Sequence, residues 1–335
     1  MDSFFIEVPK HSGERLRRYL NERSLLNRDV VLRARDTTLQ IPIVRKLEVS
    51  EAEELSEIAG CKLKLGRGAF DEAKKKRTIE EVLGFSPSFE VIGDIAIMLP
   101  PEELPAKEVA NTILIVHKAL KTVVIPRTPV SGDYRVRSFE WIAGQPIHEV
   151  YLREHGSIFK LDIEKVYFSP RLATERARVA SGIKPDECVV DMFAGVGPFT
   201  IPVAKRAHKV YAVDINPNAI RYLKENLSLN RIENVEVREG NVRDLSSDLY
   251  HLADRVIMNL PLQAFEFLDV AEEIVKRGGV IHYYDIRKED DLFDGLVEKI
   301  KEITGDIEVI ERKVVRSYAP HIYNVVIDFV VVRGI

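Results

Sequence analysis

Residues Asp191-Met192-Phe193-Ala194-Gly195-Val196-Gly197 decide how this chain folds. They follow the apolar run Cys188-Val189-Val190 and precede a helical stretch over 199–206. In open α/β sheets, ligands bind beyond the carboxyl ends of the strands, where glycines let the backbone come close to them. The dinucleotide version of such a turn is GxGxxG, with a pyrophosphate at a helix amino terminus. Here Gly195 and Gly197 are followed by Thr200 instead of a third glycine, and an acid and a phenylalanine precede them. An acid in that loop repels a pyrophosphate and suits a ligand with a cationic amino-acid tail. A nicotinamide dehydrogenase is therefore disfavoured.

Working outward, strand candidates at 188–193, 209–214, 235–240, 255–259 and 279–285 alternate with helical stretches at 199–206, 217–229, 262–276 and 289–304. Short apolar strands alternating with helices predict a parallel sheet covered on both faces. Two further runs, 307–318 and 321–332, have no helix between them and predict an antiparallel pair closing the sheet. Asp214 ends the second strand, where an acid accepts hydrogen bonds from ribose hydroxyls. Gly240-Asn241-Val242 ends the third, where a side chain meets an adenine ring.

Upstream, a helix over 12–22 and strand-like runs at 30–32 and 39–44 predict a small α+β module over 1–65. The charged stretch 62–80 reads as a linker or a basic helix. A second α+β domain is predicted over 66–165, with a strand at 89–99, a helix at 106–120, a strand at 122–125, and further strands in 131–142 and 157–168. The α/β domain fills 166–335.

At 335 residues the chain holds two or three domains, and 45% hydrophobic with 30% charged residues describes a soluble globular protein. No run of 18 or more apolar residues exists, so no transmembrane helix and no membrane partner are expected. The first residues lack the order of a secretory signal. Cys61 and Cys188 stand far apart with no Cys/His cluster, which argues against disulfides and a metal site and fits a reducing cytoplasm. The net charge of -4 hides a basic cluster, Lys62, Lys64, Arg67, Lys74, Lys75, Lys76 and Arg77, against Asp71 and Glu72. Arginines recur over 127–178. A basic first half suits a polyanion, because each neutralised phosphate releases counterions.

Asp191-x-Phe193-x-Gly195-x-Gly197, then Val213-Asp214-Ile215-Asn216, then a polar residue after the third strand, together resemble a class I S-adenosylmethionine-dependent methyltransferase. The Rossmann-like fold this implies has a mostly parallel sheet with a terminal antiparallel strand. Its fourth strand ends here in Val256-Ile257-Met258-Asn259-Leu260-Pro261-Leu262. Enzymes of this fold that act on exocyclic amines carry Asn/Asp-Pro-Pro-Tyr/Phe at that place. The middle proline and the aromatic are missing, so another acceptor is expected. The stretch 166–180 (VYFSPRLATERARVA), SGDYRVRSFEWIAG at 131–144, GGVIHYYD at 278–285 and VRSYAPHIY at 315–323 are similar to the archaeal tRNA (guanine-37-N1) methyltransferase family over nearly the whole chain.

That resemblance implies a cytoplasmic, monomeric enzyme that uses S-adenosylmethionine and acts on tRNA, not DNA, at N1 of guanosine 37. It implies Glu175 as general base, Arg135 as stabiliser of charge on O6, and Asn259 as reader of the guanine edge beside the methyl. General-base catalysis is worth roughly 10²–10⁴-fold, and a guanidinium is the natural partner of a developing oxyanion. Tyr167 and Pro261 would wall the base pocket, and Arg171, Arg316 and Tyr318 would touch RNA. Arg176, Phe193, Gly195, Gly197, Asp214, Ile215, Asn241, Val242 and Asn259 would contact the cofactor. Members of the family carry an acid where this chain has Asn241. From the residues alone, Glu175 could instead pair with Arg178 at i,i+3, and Arg135 and Arg137 could alternate along a strand as phosphate contacts. His282 and Tyr284 read as core or rim. The alternatives are a related enzyme modifying another guanine position or a wyosine-type base, transfer of an aminocarboxypropyl group, and an RNA-binding module with a vestigial fold.

Overall fold

A computed structural model describes residues 1–73, 78–130 and 132–332. Lys74, Lys75, Lys76 and Arg77 of the basic cluster lie outside the described residues. The chain divides into two compact units, Met1–Thr78 and Ile79–Ile335.

The first unit is a four-stranded antiparallel sheet with Asp2–Pro9 between Thr38–Ile43 and Lys64–Ala69 and the short Arg33–Ala34 at one edge. Helices Lys10–Glu22 and Val49–Ala59 supply Leu16, Leu20 and Leu55 to a core shared with Ile6, Val8, Ile41 and Ile43. The stretch expected as a linker or basic helix is thus in part a strand. It pairs with Asp2–Pro9, and the boundary expected at residue 65 falls inside it. The unit runs on to Thr78 because the alternating Lys64–Ala69 run matches a sheet edge, not a helix face.

The second unit holds a seven-stranded sheet. Its strands, numbered here in chain order, are β1 (Cys188–Asp191), β2 (Lys209–Asp214), β3 (Val235–Glu239), β4 (Ala253–Met258), β5 (Val275–Lys288), β6 (Ile307–Ala319) and β7 (Ile322–Val331), in the spatial order β3-β2-β1-β4-β5-β7-β6. The first five strands pair in parallel, whereas β7 lies antiparallel to β5 and β6. The expected parallel sheet with a closing antiparallel pair is present. Strands β1 and β4 are buried on both faces, which is why they read as continuous apolar runs. Helix Pro217–Leu229 has Pro217 in its first turn, and the Asn216 side chain accepts a bond from Asn218 N at 3.0 Å.

In front of this sheet stands a smaller four-stranded one, Phe89–Ile92, Ile95–Met98, Thr122–Pro126 and Phe139–Gly144, with helix Ala106–Val116 against it. The run 89–99, expected as one strand, is a hairpin that turns at Gly93-Asp94, where Gly93 takes φ +60°. The expected strand over 131–142 forms only from Phe139 on. Residues 157–168 supply one strand, Ser157–Asp162, which pairs with Glu149–Glu154 as a ribbon. Ile95, Ile97, Val124, Phe139, Val150 and Phe159 share one core with Ala194, Val196, Ala212 and Leu223 of the large domain. Each of the larger side chains, Ile, Val, Leu or Phe, contributes about 1.5–3 kcal/mol when removed from water. The segments expected as separate domains at 66–165 and 166–335 are therefore joined through this core from Ile79 onward. No helix among the described residues is long and apolar enough to cross a membrane.

Candidate active site

A cavity of about 320 Å³ opens at the carboxyl ends of β1 to β4. It is of the size that holds a small organic ligand. Phe193, Gly195, Asp214, Ile215, Asn241, Val242, Asn259 and Arg176 line it, together with Arg135, Tyr167, Pro261, Arg316 and Tyr318. The expected residues are thus largely gathered in one place. Sequence reading missed Met192, Phe267 and Asn324, which also line it. Phe267 meets Phe193 edge to face at 5.2 Å, so the apolar wall beneath Phe193 is a pair of rings. The signal for Phe267 was weak, because it follows β4 in a 3-10 turn and not in the helix expected over 262–276.

The loop after β1 is built by its glycines. Gly195 and Gly197 take φ +56° and +92°, values that L side chains rarely adopt. A Cβ on Gly197 would lie 2.6 Å from Leu223 Cδ1, whereas one on Gly195 would meet only Pro198 Cδ at 4.0 Å. Gly195 therefore keeps the cavity wall low, and Gly197 lets the loop pack on the helix beneath. Gly195 N donates to Asp214 Oδ2 at 2.6 Å and Asn216 N to Oδ1 at 2.9 Å, so the acid is held rigidly at the rim. Burial pushes its pKa up, against the pull of those two amides.

Asp191 is elsewhere than expected. It does not line the cavity but lies fully buried beneath the loop, accepting a bond from Thr200 Oγ1 at 2.7 Å. Burial raises its pKa to about 7. It fastens the loop to the next helix through Oδ2, and its Oδ1 has no hydrogen-bond partner within the protein. Asn241 lines the cavity, but its Oδ1 caps the Val242–Leu245 helix by accepting from Arg243 N at 3.0 Å. An amide serves that cap as well as an acid does. Arg176 lines the cavity with its guanidinium tied to Glu154 and to Ser169 O, and both members of the ion pair are nearly fully buried.

The wall nearest β4 carries polar groups. Arg135 sits at φ +51° in the turn before Phe139, not on a strand as expected, and its Nη1 donates to Pro261 O at 2.7 Å. Its guanidinium lies 5.5 Å from the Tyr167 ring centroid. Leu262, next to Pro261, also has a positive φ of 83°. Backbone in this region costs about 1–3 kcal/mol and persists only where its surroundings hold it. Asn259 Oδ1 is buried beside this contact and has no hydrogen-bond partner within the protein. Arg137 stacks on Phe139 at 5.0 Å and does not line this cavity.

Three expected site residues stand apart: Gly197, which packs on the helix beneath the loop, Arg171 and Glu175. Arg171 points away to Glu90 at 3.4 Å, more than half exposed, because the turn Pro170–Leu172 directs Leu172 inward in its place. Glu175 does not line the cavity either. It is 2% exposed, accepting from Arg178 Nη2 at 2.6 Å, from Tyr284 Oη at 2.8 Å and from Lys313 Nζ at 3.4 Å. The i,i+3 partner that the sequence offered is thus the one it takes. Burial pushes the Glu175 carboxyl up, but Arg178, the Tyr284 hydroxyl and Lys313 outweigh it and hold it below its usual range. Arg178 also reaches Glu311 and Asp328, each at 2.7 Å, and Asp328 bonds His282 at 2.8 Å. His282 and Tyr284 are buried as expected, and they belong to this ion cluster.

The residues present fit S-adenosylmethionine. Asp214 offers a rigid carboxylate for ribose hydroxyls, Phe193, Ile215 and Val242 offer apolar walls for a purine, and Gly195 leaves space for close approach. Among the described residues, no group of three or more His, Cys, Asp or Glu is placed to hold a metal ion.

Residues 150–311 match the TRM5/TYW2 methyltransferase domain, 72–147 the TYW2 N-terminal domain and 6–51 the tRNA methyltransferase 5 N-terminal domain. The chain is 43% identical to the tRNA (guanine(37)-N(1))-methyltransferase Trm5b of Pyrococcus abyssi, over 97% of this chain and 98% of that one. Among solved structures it resembles aTrm5 in its complex with tRNALeu, at TM-score 0.71 and 36% identity over 98% and 99% of the two chains. It also resembles TYW2 of M. jannaschii in complex with AdoMet, at TM-score 0.57 and 31% identity, covering 73% of this chain and all of that one. With a glycine loop, an acid at the rim and an Asn-x-Pro strand end around one cavity, the chain belongs to the TRM5/TYW2 family of S-adenosylmethionine-dependent tRNA methyltransferases.

Proposed function

We propose that this enzyme transfers the methyl group to N1 of guanosine 37 in tRNA, acting as a monomer in the cytoplasm. The observation that carries this reading is the Arg135–Pro261 contact, which sets a guanidinium beside Asn259 at the acceptor end of the cavity. Arg135 and Asn259 face an edge that offers a carbonyl oxygen and N–H groups, as guanine does. Bound S-adenosylmethionine supplies the electrophilic methyl. Asn259 orients the ring nitrogen, and Arg135 takes up the negative charge that moves onto O6 as the N1 proton leaves, a contribution realised in the transition state. Tyr167 and Pro261 wall the base, and Arg176, Phe193, Gly195, Asp214, Ile215, Asn241 and Val242 hold the cofactor.

The N1 proton passes to Glu175 in the RNA-bound state. Its present cationic partners, Arg178 and Lys313, are partly exposed, and Lys313 lies on the strand that also carries Arg316 and Tyr318. RNA phosphates compete for those cations and release the carboxylate. The module matched over 6–51 docks on the folded tRNA, while the loop base enters the cavity splayed from its stack.

Mass spectrometry of nucleosides from tRNA incubated with methyl-labelled cofactor tests this reading. The expected product is N1-methylguanosine at position 37. Label at N2, on a wyosine-type base or nowhere in the anticodon loop overturns it, and incorporation of the aminocarboxypropyl group instead identifies the other chemistry of the family.

A further inference from the structure

Three buried polar atoms without a hydrogen-bond partner share the one cavity: Asn259 Oδ1, Asn324 Oδ1 and Arg316 Nε. The groove beside Gly93 and Tyr151, by contrast, holds one such atom, Asp94 Oδ1. Buried polar atoms are normally satisfied, so a cluster of orphans lining one cavity marks where a ligand supplies the missing partners.

Their place in the sheet says which ligand. The residues that fit the cofactor stand at the ends of β1, β2 and β3, on one side of β4. Arg316 and Asn324 are direct cross-strand partners on β6 and β7, on the other side. Side chains so paired leave the sheet about 4.5–5.5 Å apart, comparable with the span between the outer polar atoms of a base edge. Asn324 is 2% exposed, so it is no solvated surface amide.

The set comprises two carbonyl acceptors and one donor. Guanine offers the complement on its Watson–Crick edge, with N1–H and the N2 amine as donors and O6 as acceptor. Uracil offers one donor between two acceptors, and adenine carries an acceptor at N1.

We propose that Asn324 is a specificity-determining residue for the acceptor base, its Oδ1 receiving the guanine N2 amine while Arg316 donates to the O6 end. This rests on the reading of the enzyme as a guanosine methyltransferase. It adds a reader on β7 that sequence reasoning did not single out, since Asn324 stands near the start of an apolar strand, where an amide reads as a bland interruption. Inosine keeps O6 and N1–H but lacks the N2 amine, and so isolates this contact.

The test compares kcat/KM for tRNA transcripts carrying guanosine or inosine at position 37. The wild-type enzyme prefers guanosine by about tenfold or more, the loss expected when a buried acceptor is left unpaired. Asn324→Ala lowers that preference at least tenfold, and Asn324→Asp, which keeps an acceptor oxygen in almost the same volume, retains most of it. Where inosine turns over too slowly to follow, filter retention of the two transcripts gives the ratio as Kd. Cofactor affinity and Tm of each variant separate a recognition effect from misfolding. A wild-type enzyme indifferent to the two bases overturns the proposal, as does an Asn324→Ala variant that keeps the full preference. A wild-type enzyme that makes no N1-methylguanosine at all overturns the underlying functional reading instead.

Discussion

Arg135 and Pro261 are joined by a 2.7 Å hydrogen bond from guanidinium to carbonyl across 126 positions of sequence. Both flank strained backbone, Arg135 itself and Leu262 being at positive φ. The bond ties the turn before the small sheet's last strand to the end of β4, so the acceptor wall is assembled from two segments that neither could supply alone.

Arg135→Ala is expected to slow methyl transfer by about 10²–10³, the loss typical of removing one donor to a developing oxyanion. Arg135→Lys keeps the charge without the fork and recovers part of it. Single-turnover rates with saturating cofactor check this, with cofactor Kd unchanged in both. A loss below about threefold would remove Arg135 from the chemistry.

Glu175 and Arg178 give a prediction with a direction. Glu175→Gln slows transfer by about 10²–10⁴. Because Arg178, Tyr284 and Lys313 hold the Glu175 carboxyl below its ordinary value in the free enzyme, the wild-type kcat/KM, which reports that state, falls only at pH below the usual carboxylate range. Arg178→Gln removes the largest of those influences, so the acid limb of the pH–rate profile moves to higher pH. Stability follows the same sense: the ion pair contributes above the ordinary carboxyl pKa of 4.5 and its contribution is lost as pH falls through the lower folded value. An unmoved acid limb in Arg178→Gln, with only Tm lowered, would mean that Glu175 anchors the helix Ala173–Ser181 to β5 and β6 and does no proton chemistry.

The two glycines of the β1 loop are expected to fail differently. Gly197→Ala forces a Cβ to within 2.6 Å of Leu223 at φ +92°, and should cost about 2–4 kcal/mol of stability. Gly195→Ala meets nothing closer than 4.0 Å at φ +56°, and should cost about 1–2 kcal/mol while weakening cofactor binding, because its methyl group enters the cavity. Urea denaturation and calorimetric titration of the two variants separate these effects.

Asp191 makes stability depend on pH in the opposite sense to Glu175. Its folded pKa, raised by burial to about 7, exceeds the ordinary 3.8, so the native state binds the extra proton between those values. Stability therefore declines as pH rises from about 4 to about 7. Asp191→Asn keeps an oxygen for Thr200 and cannot ionise. Its Tm should gain on that of the wild type between pH 5 and pH 8, and parallel Tm curves would contradict the assignment.

Most of the large sheet was legible because its evidence is local. Strands β1 and β4 are short, doubly buried and apolar, Pro217 and Asn216 mark a helix start, and the missing helix between 307 and 332 announces a hairpin. Glycine spacing and Asp214 disclosed where the cavity opens for the same reason. What stayed illegible depends on contacts distant in sequence. Nothing near residue 135 says that its guanidinium will meet Pro261, and nothing near 324 says that the amide will face Arg316 across a strand pair. Asp191 was misjudged because it lies beneath the loop, bonded to Thr200, whereas Asn241 lines the cavity and caps a helix as well. The two apolar runs around Gly93 read as one strand because no polar break wider than Gly93-Asp94 divides them.

The core that joins the small sheet to the large domain has an energetic reach beyond packing. Ile95 and Val124 rest in the same apolar mass as Ala194, the neighbour of Gly195, and Ala212, two residues before Asp214. Ligand-induced stabilisation, RT ln(1 + [L]/Kd), amounts to about 2.7 kcal/mol at a hundredfold excess over Kd, and belongs to the whole cooperative unit that must open. Cofactor binding should therefore slow amide exchange in Ile95–Met98 and Thr122–Pro126 as well as in β1 and β2. By this route a vacant enzyme differs from a charged one in how firmly it presents its RNA-facing wall, before any base has arrived.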